Sequence, residues 1–180
     1  TAAKHFPGHG SSKSDSHKGF VDITRTWSET ELGPYRALTD NGKLQMVMVG
    51  HLSHQGFATS GGGHPATLSG GIVNGLLRKK IGFNGVVITD DFYMAAIRKH
   101  SSLEDSFVRA IKAGVDLIML TGVQGRSARP DRLHAIIRKA VDRGHLSRSR
   151  IKQSYERIVR LKRELFANRN NTHPTRKAGE

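Results

Sequence analysis

Hydrophobic residues in this chain fall into short continuous runs, separated by longer stretches in which they recur at helical intervals. The runs of strand length lie at residues 1–6, 45–51, 86–89 and 115–120. Continuous apolar runs are typical of strands that are covered on both faces, as in a parallel sheet. The helical patterns predict helices over residues 30–38, 70–81, 103–113, 130–142 and 149–166. Strands that alternate with helices in this way indicate an α/β fold built from parallel βα units.

Polar side chains stand where three of the predicted strands end. Lys4 and His5 lie at the end of the first strand, His51 follows the second, and Asp90 follows the third. Enzymes built from parallel βα units place their chemistry at the carboxyl ends of the strands. The loop after the first strand begins with Pro and Gly residues, which end regular structure, and it carries Asp15 and His17.

Two motifs carry a resemblance to a known family. Residues 4–10 read KHFPGHG and residues 15–17 read DSH, and a second motif runs from LLR at residues 76–78 to GVVITDD at residues 85–91. Together they resemble the signatures of the β-N-acetylhexosaminidase branch of glycoside hydrolase family 3, in the same order and at a similar spacing. The resemblance runs from residue 1 to about residue 165. It implies a (β/α)8 barrel and a retaining exo-β-N-acetylglucosaminidase that acts on peptidoglycan fragments or chitooligosaccharides.

The resemblance also implies catalytic roles. Asp90 would be the nucleophile that forms a glycosyl-enzyme intermediate, and His17 would be the acid/base, oriented by Asp15. An imidazole with a pKa of about 6.5 can both give and take a proton near neutral pH. Taken from the residues alone, Asp90 is also a candidate helix cap, although Asp91 suits that role better. Asp15 and His17 are equally compatible with a loop whose side chains bond their own backbone.

Four further residues are candidates for contact with the sugar. The resemblance implies that Lys4 and His5 bind sugar hydroxyls and that Met94 lies beside the pocket, and His51 is placed to line it. A zinc site formed by His5, His9 and His17 is an alternative, but the spacing of these residues matches no standard structural zinc site. We therefore expect no metal and no cofactor.

The length of the chain predicts an incomplete barrel. A (β/α)8 barrel takes roughly 250 residues, whereas this chain has 180 and four predicted strands. We expect residues 1–166 to be the C-terminal half of the catalytic domain and residues 167–180 to be a disordered tail. We also expect this half alone to be inactive and to self-associate through an uncovered inner face, formed by Val47, Val49, Val87, Ile88 and Ile118.

Composition adds few constraints. The formal net charge is +14, and much of it falls between residues 126 and 163, spaced among apolar residues as on a solvated helix face. We therefore expect no nucleic acid as partner, the absence of a long apolar run predicts no membrane partner, and the resemblance implies a carbohydrate substrate. The absence of cysteine excludes disulfides, and the resemblance favours the cytoplasm as the location of the protein.

Two alternative functions remain. The chain could be a β-glucosidase or β-xylosidase of the same family, or a truncated, non-catalytic remnant with a basic binding surface.

Overall fold

Four parallel strands form the main sheet of the protein, which a computed structural model describes over residues 1–12, 19, 21–57, 64–98, 101–121 and 129–172. The main sheet has the order β1-β3-β5-β6, and β2 pairs with β4 in a separate parallel pair. In chain order the strands are β1 (Ala2–Phe6), β2 (Val21–Asp22), β3 (Met46–Val49), β4 (Leu52–Ser53), β5 (Val86–Asp91) and β6 (Leu117–Met119). The four strands of the main sheet are those that the hydrophobic runs predict.

Helices connect the strands of the main sheet. They are α1 (Gly33–Asp40), a π-helix (Gly71–Lys80), α2 (Ala95–Arg98), α3 (Leu103–Ala113), α4 (Pro130–Asp142) and α5 (Arg148–Thr172), with 3-10 turns at Glu29–Leu32, Gln55–Phe57 and Ala66–Leu68. The bounds of α3 and α4 are the predicted ones. The hydroxyl of Ser102 caps α3 by accepting a hydrogen bond from the Asp105 N–H at 3.1 Å, and Gly114 ends it with a left-handed φ of 114°. No helix in the described residues is both long enough and apolar enough to cross a membrane.

Parallel strands followed by helices confirm the predicted α/β class and are consistent with part of a barrel. Among the described strands and α-helices, β2, β4 and α2 were not predicted. The last helix extends to Thr172, so the disorder predicted from residue 167 is wrong for the residues up to 172. Residues 173–180 lie outside the described residues.

The main core lies between the sheet and its helices. Val47, Val49 and Val87 are fully buried there, among side chains of the π-helix and α3. The prediction that these three valines form an uncovered inner face is therefore wrong. Met48 and its ladder partner Ile88 point to the other face, because neighbouring residues of a strand alternate in direction, and both are half-buried.

Candidate active site

Asp90 lies near the carboxyl end of β5, where the continuous run of apolar residues ends. The residue is only 8% exposed. One carboxylate oxygen, Oδ1, accepts a hydrogen bond from the Asp91 N–H at 2.8 Å. The other oxygen, Oδ2, lies 3.8 Å from Nε2 of His5. The carboxylate is thus fixed on one side by the backbone and faces an imidazole on the other.

His5 reaches Asp90 across the end of β3, the strand that separates β1 from β5. The chain leaves β3 at Gly50, where an added Cβ would lie 3.1 Å from the Cβ of His5. A glycine at this position leaves room for the His5 side chain to extend over the strand end. His5 is half-buried and its ring meets that of His9 edge-on, with 5.9 Å between centroids. Lys4, which immediately precedes His5, is exposed.

An open cavity adjoins this end of β1. Its volume is about 460 Å³, and its lining includes Lys4, His5, His9, Glu31 and Tyr35. Ionisable and aromatic side chains therefore line a space that includes His5, the residue that faces Asp90. Such a space combines hydrogen-bond donors with an apolar ring, the combination from which ligand sites are commonly built.

Asp91 closes the turn that follows β5. Its carboxylate accepts hydrogen bonds from the N–H of Tyr93 at 3.1 Å, from the N–H of Thr121 at 3.1 Å and from the Thr121 hydroxyl. Burial raises the pKa of the Asp91 carboxyl, but the bonds from Thr121 and Tyr93 outweigh burial, so the pKa lies below its ordinary value. Asp91 therefore stays ionised and joins the ends of β5 and β6.

His51 is completely enclosed by protein. Nε2 lies 2.9 Å from the carbonyl oxygen of Asp91, and Nδ1 lies 2.7 Å from the hydroxyl oxygen of Thr67. Burial lowers the pKa of His51, although the Asp91 carbonyl and the Asp90 carboxylate oppose the shift. Because a carbonyl oxygen only accepts, Nε2 is the donor of the bond to Asp91, and the Thr67 hydroxyl also donates to the Gly50 carbonyl oxygen at 3.0 Å. His51 has no exposed atom, and its bond to the Asp91 carbonyl oxygen holds the end of β5 in place. This position does not support the predicted contact between His51 and the sugar.

Met94 lies in the turn after β5 and is 9% exposed. Its N–H donates to the Asp91 carbonyl oxygen at 3.1 Å, the same oxygen that His51 contacts. The turn thus places Met94 close in the chain to Asp90, and its contact with the sugar stays a prediction.

The structure brings together His5 and Asp90, with Lys4 next to His5 in the chain, whereas Asp15 and His17 lie outside the described residues. Within the described residues, no group of three His, Asp or Glu side chains is arranged to hold a metal ion. Sequence reasoning missed Thr67 and Thr121, which support His51 and Asp91. No sequence motif surrounds these threonines, so their contacts with His51 and Asp91 are evident only from the fold.

Comparison with known proteins identifies the class and then the family. The fold and the carboxylate at a strand end are those of an α/β-barrel type of enzyme. The family model described as "Glycosyl hydrolase family 3 N terminal domain" matches residues 1–161. The chain therefore belongs to glycoside hydrolase family 3, as the two motifs predicted.

Two curated relatives are named as beta-hexosaminidases. Beta-hexosaminidase A of Pseudoalteromonas piscicida is 31% identical over 179 residues, which cover 92% of this chain and 30% of that protein. Beta-hexosaminidase LpqI of Mycobacterium tuberculosis is 35% identical over 167 residues, covering 88% of this chain and 41% of that protein. The solved structure of a family 3 beta-N-acetylglucosaminidase from Paenibacillus sp. FPU-7 matches with a TM-score of 0.76 and 34% identity, over 90% of this chain and 30% of that one. The chain thus spans about a third of the length of the curated relatives it matches.

Proposed function

We propose that this chain supplies the nucleophile and the acid/base of a retaining exo-β-N-acetylglucosaminidase. The observation that carries the proposal is the placement of Asp90, a nearly buried carboxylate at a strand end with one oxygen facing His5. The relatives named beta-hexosaminidase support the same activity.

Asp90 is proposed to attack the anomeric carbon through Oδ2. The backbone bond from Asp91 to Oδ1 orients the carboxylate for that attack. His17, oriented by Asp15, protonates the leaving oxygen in the first step and activates water in the second, so the configuration is retained. Lys4 and His5, at the neighbouring strand end, supply donors for sugar hydroxyls beside the nucleophile.

The proposed substrates carry a terminal β-linked N-acetylglucosamine, as in peptidoglycan fragments or chitooligosaccharides. The proposed compartment is the bacterial cytoplasm, where fragments recovered from the cell wall would be available. Comparing the activity of cytoplasmic and exported fractions of the native cell tests the compartment separately from the chemistry.

A substrate panel combined with covalent trapping tests the reaction. Nitrophenyl glycosides of N-acetylglucosamine, glucose and xylose are offered to the longest polypeptide that carries this chain, and to residues 1–180 alone. We expect the longer polypeptide to hydrolyse the N-acetylglucosaminide selectively. Preference for glucose or xylose would instead support the β-glucosidase or β-xylosidase alternative.

The trapping arm locates the nucleophile. A fluorinated N-acetylglucosaminyl donor slows breakdown of the intermediate, so the glycosylated peptide can be found by mass spectrometry. We expect the label on Asp90. A label on another carboxylate, or hydrolysis with inversion of configuration, would overturn the proposed mechanism.

A further inference from the structure

Two side chains from residues 27–32 contact the start of the loop that leads to Asp15 and His17. We call residues 7–11 the loop stem. Glu31 accepts a hydrogen bond from the Gly10 N–H at Oε2, at 3.2 Å, and another from the Ser11 hydroxyl at Oε1. Trp27 donates from Nε1 to the Pro7 carbonyl oxygen at 2.9 Å. The stem is therefore fixed at both of its ends.

Glu31 also packs directly on Gly8. An added Cβ at Gly8 would lie 2.2 Å from Oε2 of Glu31, and the φ of Gly8 is +129°, in the region that favours glycine. The first glycine of the KHFPGHG motif, Gly8, therefore leaves the space that the Glu31 carboxylate fills.

The segment that carries Glu31 is held by the core. Leu32 is fully buried, and Tyr35 packs edge-on against Phe6 with 5.0 Å between ring centroids. Phe6 is the last residue of β1 and Tyr35 belongs to α1. The loop stem is therefore bonded to a support that is anchored on the strand carrying His5.

We propose that Glu31 is a positioning residue for the acid/base of the reaction. The inference rests on the proposed function, since it gives Glu31 the task of holding the stem from which His17 is presented to the substrate. Removing the two bonds from Glu31 would let the stem move, and the loop that carries His17 starts from that stem. Displacement of a catalytic group by about 1 Å can cost about a hundredfold in rate.

The test compares three variants. Glu31→Ala removes both acceptor oxygens, and Glu31→Gln keeps one. Glu29→Ala is the matched control, because Glu29 lies in the same 3-10 turn but bonds Arg36 and Lys80, at 2.6 and 2.7 Å, and makes no described bond to the stem. Thermal unfolding of each variant shows whether it folds. If Glu31→Ala does not fold, the comparison is made with Glu31→Gln.

The first readout needs no activity. Amide hydrogen exchange of peptides covering residues 7–12 should be about tenfold faster or more in Glu31→Ala, because the Gly10 N–H loses its acceptor. Glu31→Gln should be intermediate and Glu29→Ala unchanged. Unchanged exchange in Glu31→Ala would overturn the proposal.

The second readout is the dependence of kcat/KM on the leaving group, measured in the longest polypeptide that carries this chain. If Glu31 positions the acid, Glu31→Ala should lose about tenfold more activity on chitobiose than on a nitrophenyl N-acetylglucosaminide, whose leaving group needs little protonation. Equal losses of kcat/KM on the two substrates would mean that Glu31 has only a structural role, and this result would overturn the proposal. If the unsubstituted protein hydrolyses neither substrate, the proposed function fails, and the exchange experiment still decides whether Glu31 holds the stem.

Discussion

Arg78 and Asp116 meet in the interior at the end of the sheet opposite to Asp90, with 2.7 Å between Nη2 of Arg78 and Oδ2 of Asp116. The Asp116 side chain is completely buried, and two more arginines, Arg150 and Arg157, donate to its Oδ1 at 3.2 Å each. Ser154 donates to the same oxygen at 2.7 Å. A single carboxylate therefore joins the π-helix and α5 to the start of β6.

We expect Asp116→Asn to lower the free energy of unfolding by about 3–5 kcal/mol, the usual cost of removing one partner from a buried ion pair. The arginines would face an uncharged amide, and burial already lowers the pKa of Arg78 to about 10 despite the attraction of Asp116. Urea denaturation measures the loss. Ser154→Ala is the matched control, since it removes one hydrogen bond from the same carboxylate and should cost only about 1 kcal/mol. A similar small loss in both variants would contradict the central role of Asp116.

Replacement of the proposed nucleophile should abolish turnover and allow chemical rescue. In Asp90→Ala no carboxylate remains to attack the anomeric carbon, and the space it leaves can admit a small anion. We expect added azide to restore part of the activity on an activated N-acetylglucosaminide and to give a glycosyl azide, identified by mass spectrometry. Asp40→Ala, a change at an exposed carboxylate on α1, serves as control and should keep full activity. Turnover by Asp90→Ala without azide would show that the nucleophile lies elsewhere.

Loss of the proposed acid/base should depend on the leaving group. His17→Ala should lose about a hundredfold or more on substrates with poor leaving groups and much less on nitrophenyl glycosides, because a good leaving group departs without protonation. Asp15→Asn should lose less than His17→Ala, through poorer orientation of the imidazole. His134→Ala, at an exposed position of α4, is the control. Equal losses of His17→Ala on both substrate types would contradict general-acid catalysis by His17.

Stability should fall on mild acidification because two histidines, His51 and His54, have lowered pKa values. Burial lowers the pKa of His51, and burial also lowers that of His54. The unfolded chain then binds more protons than the folded one below the ordinary histidine pKa of about 6.5, so the free energy of unfolding falls as pH falls through that value. Each histidine can contribute a slope of at most about 1.4 kcal/mol per pH unit.

Urea titrations between pH 7.5 and pH 5 measure that slope. His51→Gln should make the curve flatter while lowering stability at pH 7.5, because the bonds to Asp91 and Thr67 are weakened. His134→Ala should leave the slope as it is. A slope unaffected by His51→Gln would show that His51 does not carry the acid sensitivity.

Local signals explain which parts of the fold could be predicted. The bounds of α3 follow from Ser102 at its start and Gly114 at its end, and α4 begins at a proline. The position of Asp90 follows from a β-branched run that stops at a carboxylate. These features depend only on residues that are neighbours in the chain, so they can be predicted from the sequence.

Contacts between distant residues explain what could not be predicted. A run of four apolar residues, such as β3, does not tell which of Val47 and Met48 faces the helices, because both suit a buried strand. His51 and Thr67 come together only when the chain returns after β3, and Asp116 meets arginines from two different helices. Such pairings depend on the topology, which the pattern of hydrophobic residues leaves open.

The last prediction concerns the second face of the main sheet, the one opposite to Val47 and Val87. Met48, Ile88 and Leu117 are ladder partners on three adjacent strands, and all three are half-buried. Among the described elements, β1 and β6 are the outer strands of the main sheet, so each has one side with unpaired backbone groups. A face and two edges of this kind promote association.

We expect residues 1–180 expressed alone to self-associate and to hydrolyse no N-acetylglucosaminide at a measurable rate. Light scattering coupled to size-exclusion chromatography measures the mass, and Met48→Lys with Leu117→Lys should shift the protein toward monomer if the sheet face drives association. The matched control is Tyr155→Lys with Phe166→Glu, because these two side chains are 66% and 65% exposed on α5. Monomer restored by the α5 changes and not by the sheet changes would place the contact on the helix. A monomeric, catalytically active chain would contradict the prediction altogether, because it would mean that residues 1–180 suffice for a complete site.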